Sequence, residues 1–230
     1  MGVNDFDNYP SEVADIEKVG GAEYNLEMII SLQPDLVLAH ESGLYGLGDG
    51  IDQLEAAGIP VFVVKNAINF DETYKTIEEI GQLTGTFDEA KAINTGIQTD
   101  LAAIQAKVKD AEPKTAFVVV GMEPDIYTAG TGTFIDEMLK VINVENVVQQ
   151  EGWPMYSAED FAANNADYII ATYESDLTAI KANSMFANMP AVLASNLKLV
   201  DGDTTSRQGP RIADGVEALA KAIYPEIFGE

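Results

Sequence analysis

The stretch 88–111, DEAKAINTGIQTDLAAIQAKVKDA, decides how the rest of the chain is read. Its apolar residues Ile93, Ile97, Leu101, Ile104 and Val108 are spaced 4, 4, 3 and 4 apart. That spacing places them along one stripe of an α-helix. No proline interrupts the stretch, so it reads as one unbroken helix about 36 Å long at ~1.5 Å per residue. A continuous helix is a stiff connector, unlike a glycine-rich linker. It therefore predicts two bodies joined by a spine with limited hinge motion.

Strand and helix signals alternate on both sides of it. Upstream, 24–32 has a helical spacing, Pro34 and Asp35 break it, and Leu36-Val37-Leu38-Ala39 reads as a buried strand. A helix over 49–57 stops at Gly58, and Pro60 introduces the strand Val61-Phe62-Val63-Val64. A helix over 71–84 ends at Gly85. Downstream come a strand at 116–120 and a turn holding Gly130 and Gly132. Thr133 and Asp136 then offer a cap for a helix ending at Val141. A helix near 158–164, strands at 168–171 and 197–200, and a last helix over 210–224 complete the order. Such alternation predicts an α/β fold: two lobes, each a mostly parallel sheet flanked by helices, joined by a single long helix. The expected division is an N-terminal lobe 1–87, the connecting helix 88–111 and a C-terminal lobe 112–230.

Composition narrows the function. With 13 Lys+Arg against 38 Asp+Glu, the formal charge is −25, which excludes tracking a phosphate backbone. The same balance disfavours a strongly anionic ligand unless the few cations converge on it. Zero cysteines exclude disulfides and thiolate metal sites. One histidine, His40, leaves little room for a Ser-His-Asp site and cannot by itself build a metal-ion receptor. Gly130-Thr131-Gly132 lacks the further residues of a nucleotide-binding loop and reads as a tight turn. No catalytic residues and no intrinsic cofactor are expected. No secretory signal pattern opens the chain, which begins like the tail of a strand, so a longer natural N-terminus is expected.

Four collinear segments resemble the helical-hinge class of ABC-importer binding proteins, whose ligands are cobalamin, ferric siderophores, haem and some bare metals. The first is Asp7-Asn8-Tyr9-Pro10 with Ile16-Glu17-Lys18-Val19-Gly20-Gly21; the second is Asn25-Leu26-Glu27-Met28-Ile29 with Leu32-Gln33-Pro34-Asp35-Leu36-Val37-Leu38-Ala39. The third runs from Tyr127-Thr128-Ala129-Gly130 through Glu145-Asn146-Val147 to Trp153-Pro154 and Ser157-Ala158-Glu159; the fourth is 209–219, Gly209-Pro210-Arg211-Ile212 onward. The resemblance implies an extracytoplasmic receptor, periplasmic or lipid-anchored. It would hold a cobalt corrinoid or ferric chelate in the cleft between its lobes and deliver it, as a monomer, to a membrane permease and its ATPase. Family members carry a strand and helix ahead of the Gly2-Val3 strand, so the first lobe is expected to lack an internal strand and to expose apolar sheet surface.

The resemblance also implies residue roles. Tyr9, Tyr127 and Trp153 match positions where cobalamin-binding relatives set aromatic rings around the ligand. Physically, such rings bury much area at low entropy cost. A further aromatic of those relatives falls near Gly21, and its absence counts against a corrinoid. Glu27 and Glu159 match acidic residues that face permease arginines, with Glu41 and Asp49 as alternatives on the first lobe. Arg207 could reach a phosphate, propionate or chelate oxygen, while Arg211 reads as structural and Lys65 as a weaker ligand contact. His40, directly after a strand, could take an axial metal position. The rival readings are an enzyme of two doubly wound domains, which lacks a paired acid and base, and a haem- or chelate-binding sensor that imports nothing.

Overall fold

The structure, a computed structural model, describes residues 1–229. The chain divides into two compact units, Met1–Asn66 and Ala67–Glu230.

The first unit holds four short strands: β1 (Gly2–Val3), β2 (Glu17–Lys18), β3 (Val37–His40) and β4 (Val61–Val64). They form two separate parallel pairs, β1 with β2 and β3 with β4. Three helices accompany them, α1 (Leu26–Leu32), α2 (Leu44–Leu47) and α3 (Gly50–Ala56). Helix α1 starts where the Asn25 side chain accepts from the Met28 amide and stops where Gln33 adopts a left-handed conformation, φ 46°. The buried core is small, centred on Ile29, Leu54 and Ile59. A cavity of about 470 Å³ opens among Val3, Val19, Ile29, Leu32, Val37 and Leu38, touching residues of both β1 and β3. Two sheet fragments are left with aliphatic surface between them, and Leu38 is exposed.

The second unit is built on one six-stranded sheet. Its strands are β5 (Lys114–Gly121), β6 (Ile126–Thr128), β7 (Val144–Asn146), β8 (Met155–Tyr156), β9 (Tyr168–Ala171) and β10 (Leu197–Leu199). The path runs β10-β9-β5-β6-β8, with β7 alongside the start of β5. Pairing is parallel except where β6 runs against β5 and β8. Nine helices accompany it: α4 (Phe70–Thr84), α5 (Phe87–Val108), α6 (Phe134–Val141), α7 (Ala158–Ala162), α8 (Glu174–Ala182), α9 (Pro190–Leu193), α10 (Gly202–Ser206), α11 (Ile212–Ile223) and α12 (Pro225–Phe228). Alternation along β5 sorts the core. Ala116 and Val118 join one cluster with Leu101, Met138 and Val216, whereas Phe117 and Val119 join another with Phe161 and Phe186. Rings in the second cluster meet edge to face, Phe117 to Phe161 at 5.0 Å and Phe161 to Phe186 at 4.9 Å. Both faces of the sheet are therefore covered.

The long helix is present as α5, about 33 Å over its 22 residues. It differs from the sequence reading in two ways. First, Ile97, Leu101, Ile104 and Val108 are buried as expected, but Ile93 is 41% exposed and the buried side continues toward the N-terminus through Asn94 and Ala90. The cause is close packing on α4. A side chain at Gly81 would begin 2.5 Å from the Ala90 Cβ, so only glycine admits this approach. Asn94 then donates to the Tyr74 carbonyl at 2.9 Å. Second, the sequence puts the lobe boundary at 87/88. In the structure α4 and α5 both lie within the second unit, because Phe70, Ile77 and the buried side of α5 share a cluster with Leu219 and Ile223 of α11.

Asp136 ties the turn at 130–133 to this core. It is 2% exposed, accepts from the Gly132 amide at 3.0 Å and the Asn146 side chain at 3.3 Å, and pairs with Lys140 at 2.6 Å. The Thr133 hydroxyl caps α6 by accepting from the Asp136 amide, as the sequence predicts. Removing a buried charge acceptor strands its donors, so Asp136→Ala should cost about 3 kcal/mol in urea unfolding. Lys140 is mostly solvated, and Lys140→Ala should cost less than about 1 kcal/mol. No helix among the described residues is long and apolar enough to cross a membrane.

Candidate functional site

The register of β6 and β8 gathers two of the candidate aromatics. Ile126 pairs with Tyr156, and Tyr127 pairs with Met155. Successive side chains alternate across a strand. Ile126 and Tyr156 turn into the core, where the Tyr156 ring meets Phe117 edge to face at 5.3 Å. Tyr127 and Met155 must then face the other way. The ladder continues past β8, Thr128 donating to the Pro154 carbonyl at 3.2 Å and Gly130 to the Gly152 carbonyl at 2.8 Å. Trp153 lies in the bend two residues before Met155, between these two hydrogen-bonded positions. Tyr127 is half-buried and Trp153 is 51% exposed. The glycine turn serves this arrangement: a side chain at Gly130 would begin 1.9 Å from the Gln150 carbonyl oxygen, so the two backbones could not close.

The electrostatics around this face are acidic. Glu123 and Asp125 lie exposed on the loop between β5 and β6. Asp176, buried in the first turn of α8, has its carboxyl pKa raised by burial and, after that, by Glu123. Arg207, at the C-terminal end of α10, is bound to Asp203 at 2.7 Å. An anionic guest would have to compete with Asp203 for it. Arg211, half-buried, is the residue preceding α11, and its carbonyl accepts from Gly215, a structural position.

In the first unit Tyr9 is exposed on the loop that follows β1. This loop is braced. Lys18 donates to the carbonyls of Asp7 at 3.0 Å and Asn4 at 3.3 Å, the Asn4 amide donates to Asp7 at 2.8 Å, and the Asn4 side chain donates to the Tyr24 hydroxyl at 3.1 Å. His40 ends β3. Its Nδ1 accepts from the Ser42 amide at 3.3 Å and lies 2.7 Å from the Ser42 hydroxyl. A neutral ring accepting at Nδ1 carries its proton on Nε2, where a metal would need a lone pair. Burial lowers the His40 pKa, opposed by Glu41, which keeps the ring neutral at pH 7. Glu41 accepts from the Asn66 amide at 2.9 Å, and Asp49 from the Gln53 side chain at 2.9 Å. Lys65 is exposed just beyond β4. Among the described residues, no group of three or more His, Asp or Glu side chains could hold a metal ion.

Glu27 and Glu159 occupy equivalent places. Each is exposed at the second position of a short helix, α1 after its Asn25 cap and α7 after its Ser157 cap. A carboxylate there also complements the helix dipole.

Three exposed rings fall outside the sequence reading, Phe6, Tyr45 in α2 and Tyr173. Tyr173 stands two residues beyond β9, close to the strand-end criterion that picks out His40. Phe6 stands on the braced loop with Tyr9, its ring edge 2.8 Å from where a side chain at Gly21 would begin. Gly21 has no positive φ to require glycine, so it is the ring that fills the space.

Residues 2–204 match the sequence model of the periplasmic binding protein family. The chain belongs to the periplasmic binding protein family. This binding protein is 42% identical, over its whole length, to an uncharacterized ABC transporter substrate-binding lipoprotein of Bacillus subtilis, covering 74% of that protein. It is 26% identical over 97% of its length to the vitamin B12-binding protein of Salmonella typhimurium, covering 82% of it. A solved structure of a possible iron-binding, periplasmic solute-binding protein from Staphylococcus epidermidis matches the binding protein at TM-score 0.86 and 35% identity, covering 97% of this chain and 90% of that one.

Proposed function

We propose that this binding protein carries a large, flat, weakly charged metal chelate of the corrinoid class and delivers it, without transforming it, to an ABC permease and ATPase. The observation that carries this reading is the pairing of Tyr127 with Met155 at the β6–β8 edge, with Trp153 in the bend just before β8 and half exposed to solvent. Flat apolar walls suit a planar guest. The relatives support both halves of the proposal, one being an ABC transporter substrate-binding lipoprotein and another a vitamin B12-binding protein. By the same likeness the protein works outside the cytoplasm. Glu27 and Glu159 are the proposed docking charges for permease arginines.

Charge sets the selectivity. With −25 overall and Arg207 held by Asp203, a triply anionic guest meets net repulsion. Calorimetric titration with cyanocobalamin, dicyanocobinamide, haemin, a ferric trihydroxamate and a ferric tris-catecholate tests this. A corrinoid should bind at least about a hundredfold more tightly than the catecholate, a gap of about 2.7 kcal/mol. Tight catecholate binding with no corrinoid heat would overturn the proposal.

A further inference from the structure

We propose that Met155 is a ligand-contacting, specificity-determining residue, the thioether member of a three-residue face completed by Tyr127 and Trp153. This deepens the reading of that face as the chelate site and rests on it.

Met155 is 60% exposed although it sits in a strand, opposite Tyr127 and two residues after Trp153. Directly opposite residues of an antiparallel pair bring their Cβ atoms to about 5 Å, and alternate residues along a strand lie about 7 Å apart. The thioether and the Tyr127 ring are thus cross-strand neighbours, and Trp153 precedes Met155 by two residues in the adjoining bend. Strand β8 is the last in the sheet path, so this apolar group lies at an open sheet edge. An exposed apolar edge invites self-association and is normally blunted by charge or proline at the exposed positions. Pro154 blunts this edge between Trp153 and Met155, while Tyr127, Trp153 and Met155 themselves carry no charge.

The packing of the same hairpin shows what Met155 does not do. Its neighbour Tyr156 fills the core against Phe117 and donates to Gln150 at 2.6 Å, anchoring the strand. Met155 therefore has no part in the core of the second unit. An unbranched, polarizable side chain with three rotatable bonds adapts to the rim of a flat conjugated guest, where a rigid ring would fit one outline only. The selectivity expected from it favours macrocycles with apolar, conjugated surface over open-chain hydroxamate chelates, which present more polar atoms.

Methyl-13C methionine labelling tests this. The chain has seven methionines, and Met155→Leu identifies one methyl signal by its loss. Titration with dicyanocobinamide or haemin should move or broaden the Met155 signal more than that of any buried methionine. Met155→Ala should weaken dicyanocobinamide binding about tenfold, with Met155→Leu within about twofold of wild type. A wild-type protein that binds a probe while the Met155 signal and the Met155→Ala affinity stay unchanged overturns the assignment alone. A wild-type protein that binds neither probe overturns the assignment together with the chelate reading beneath it.

Discussion

Trp153→Ala should weaken binding of the preferred chelate by about a hundredfold while leaving the unfolding midpoint nearly where it was. The size follows from burial: a half-exposed indole covered by a guest loses most of its remaining contact with water, and such rings are the usual energetic centres of binding faces. The small effect on stability follows from the same exposure, since Trp153 is in neither core cluster. Trp153 is the one tryptophan of the chain, so intrinsic fluorescence reads this residue directly. Its emission should be quenched as a corrinoid or haem is added. Tyr127→Ala should act in the same direction, and the double variant should lose less than the sum, because the two side chains share one guest. Wild-type affinity in a folded Trp153→Ala protein would remove this face from the site.

Charge reversal at both Glu27 and Glu159 should abolish uptake and leave chelate affinity intact. Both carboxylates are exposed at the starts of short helices, a placement suited to a docking register. Each also begins a helix, and a lysine there would cost up to about 1 kcal/mol per site. The pair Glu27→Gln and Glu159→Gln separates the two effects: it removes the charges with a smaller helix penalty and should still depress uptake by about tenfold or more. Uptake at the wild-type rate in the charge-reversed protein would end the docking proposal.

Much of the fold is legible in the sequence because its long elements carry strong periods. The α5 stripe, the strand at 61–64 between Pro60 and a polar loop, and the Asn25, Thr133 and Ser157 caps announce themselves locally. What stays hidden is short or depends on partners. Strands β6 and β8, of three and two residues, are too brief to show alternation, yet their register is what sets Tyr127 beside Met155. Ile93 fits the spacing of the stripe, but where α5 packs against Gly81 of α4 the buried positions are Ala90 and Asn94, which leaves Ile93 exposed. Helix α8 carries just Leu177 and Ile180 as large buried apolar residues, which is too narrow a stripe to read. For the site, Trp153 and Tyr127 were visible as isolated aromatics near turns. Phe6 was not, because its meaning lies in the bare space above Gly21, and Arg207 looked available until Asp203 was placed beside it.

The most direct test of the whole account is a crystal structure of the protein with the tightest-binding member of the chelate panel. A metal macrocycle lying flat against Trp153, Tyr127 and Met155, chemically unchanged, is the predicted result. A guest seated among the aliphatic residues around Leu38, or one whose bonds have been broken, would contradict it.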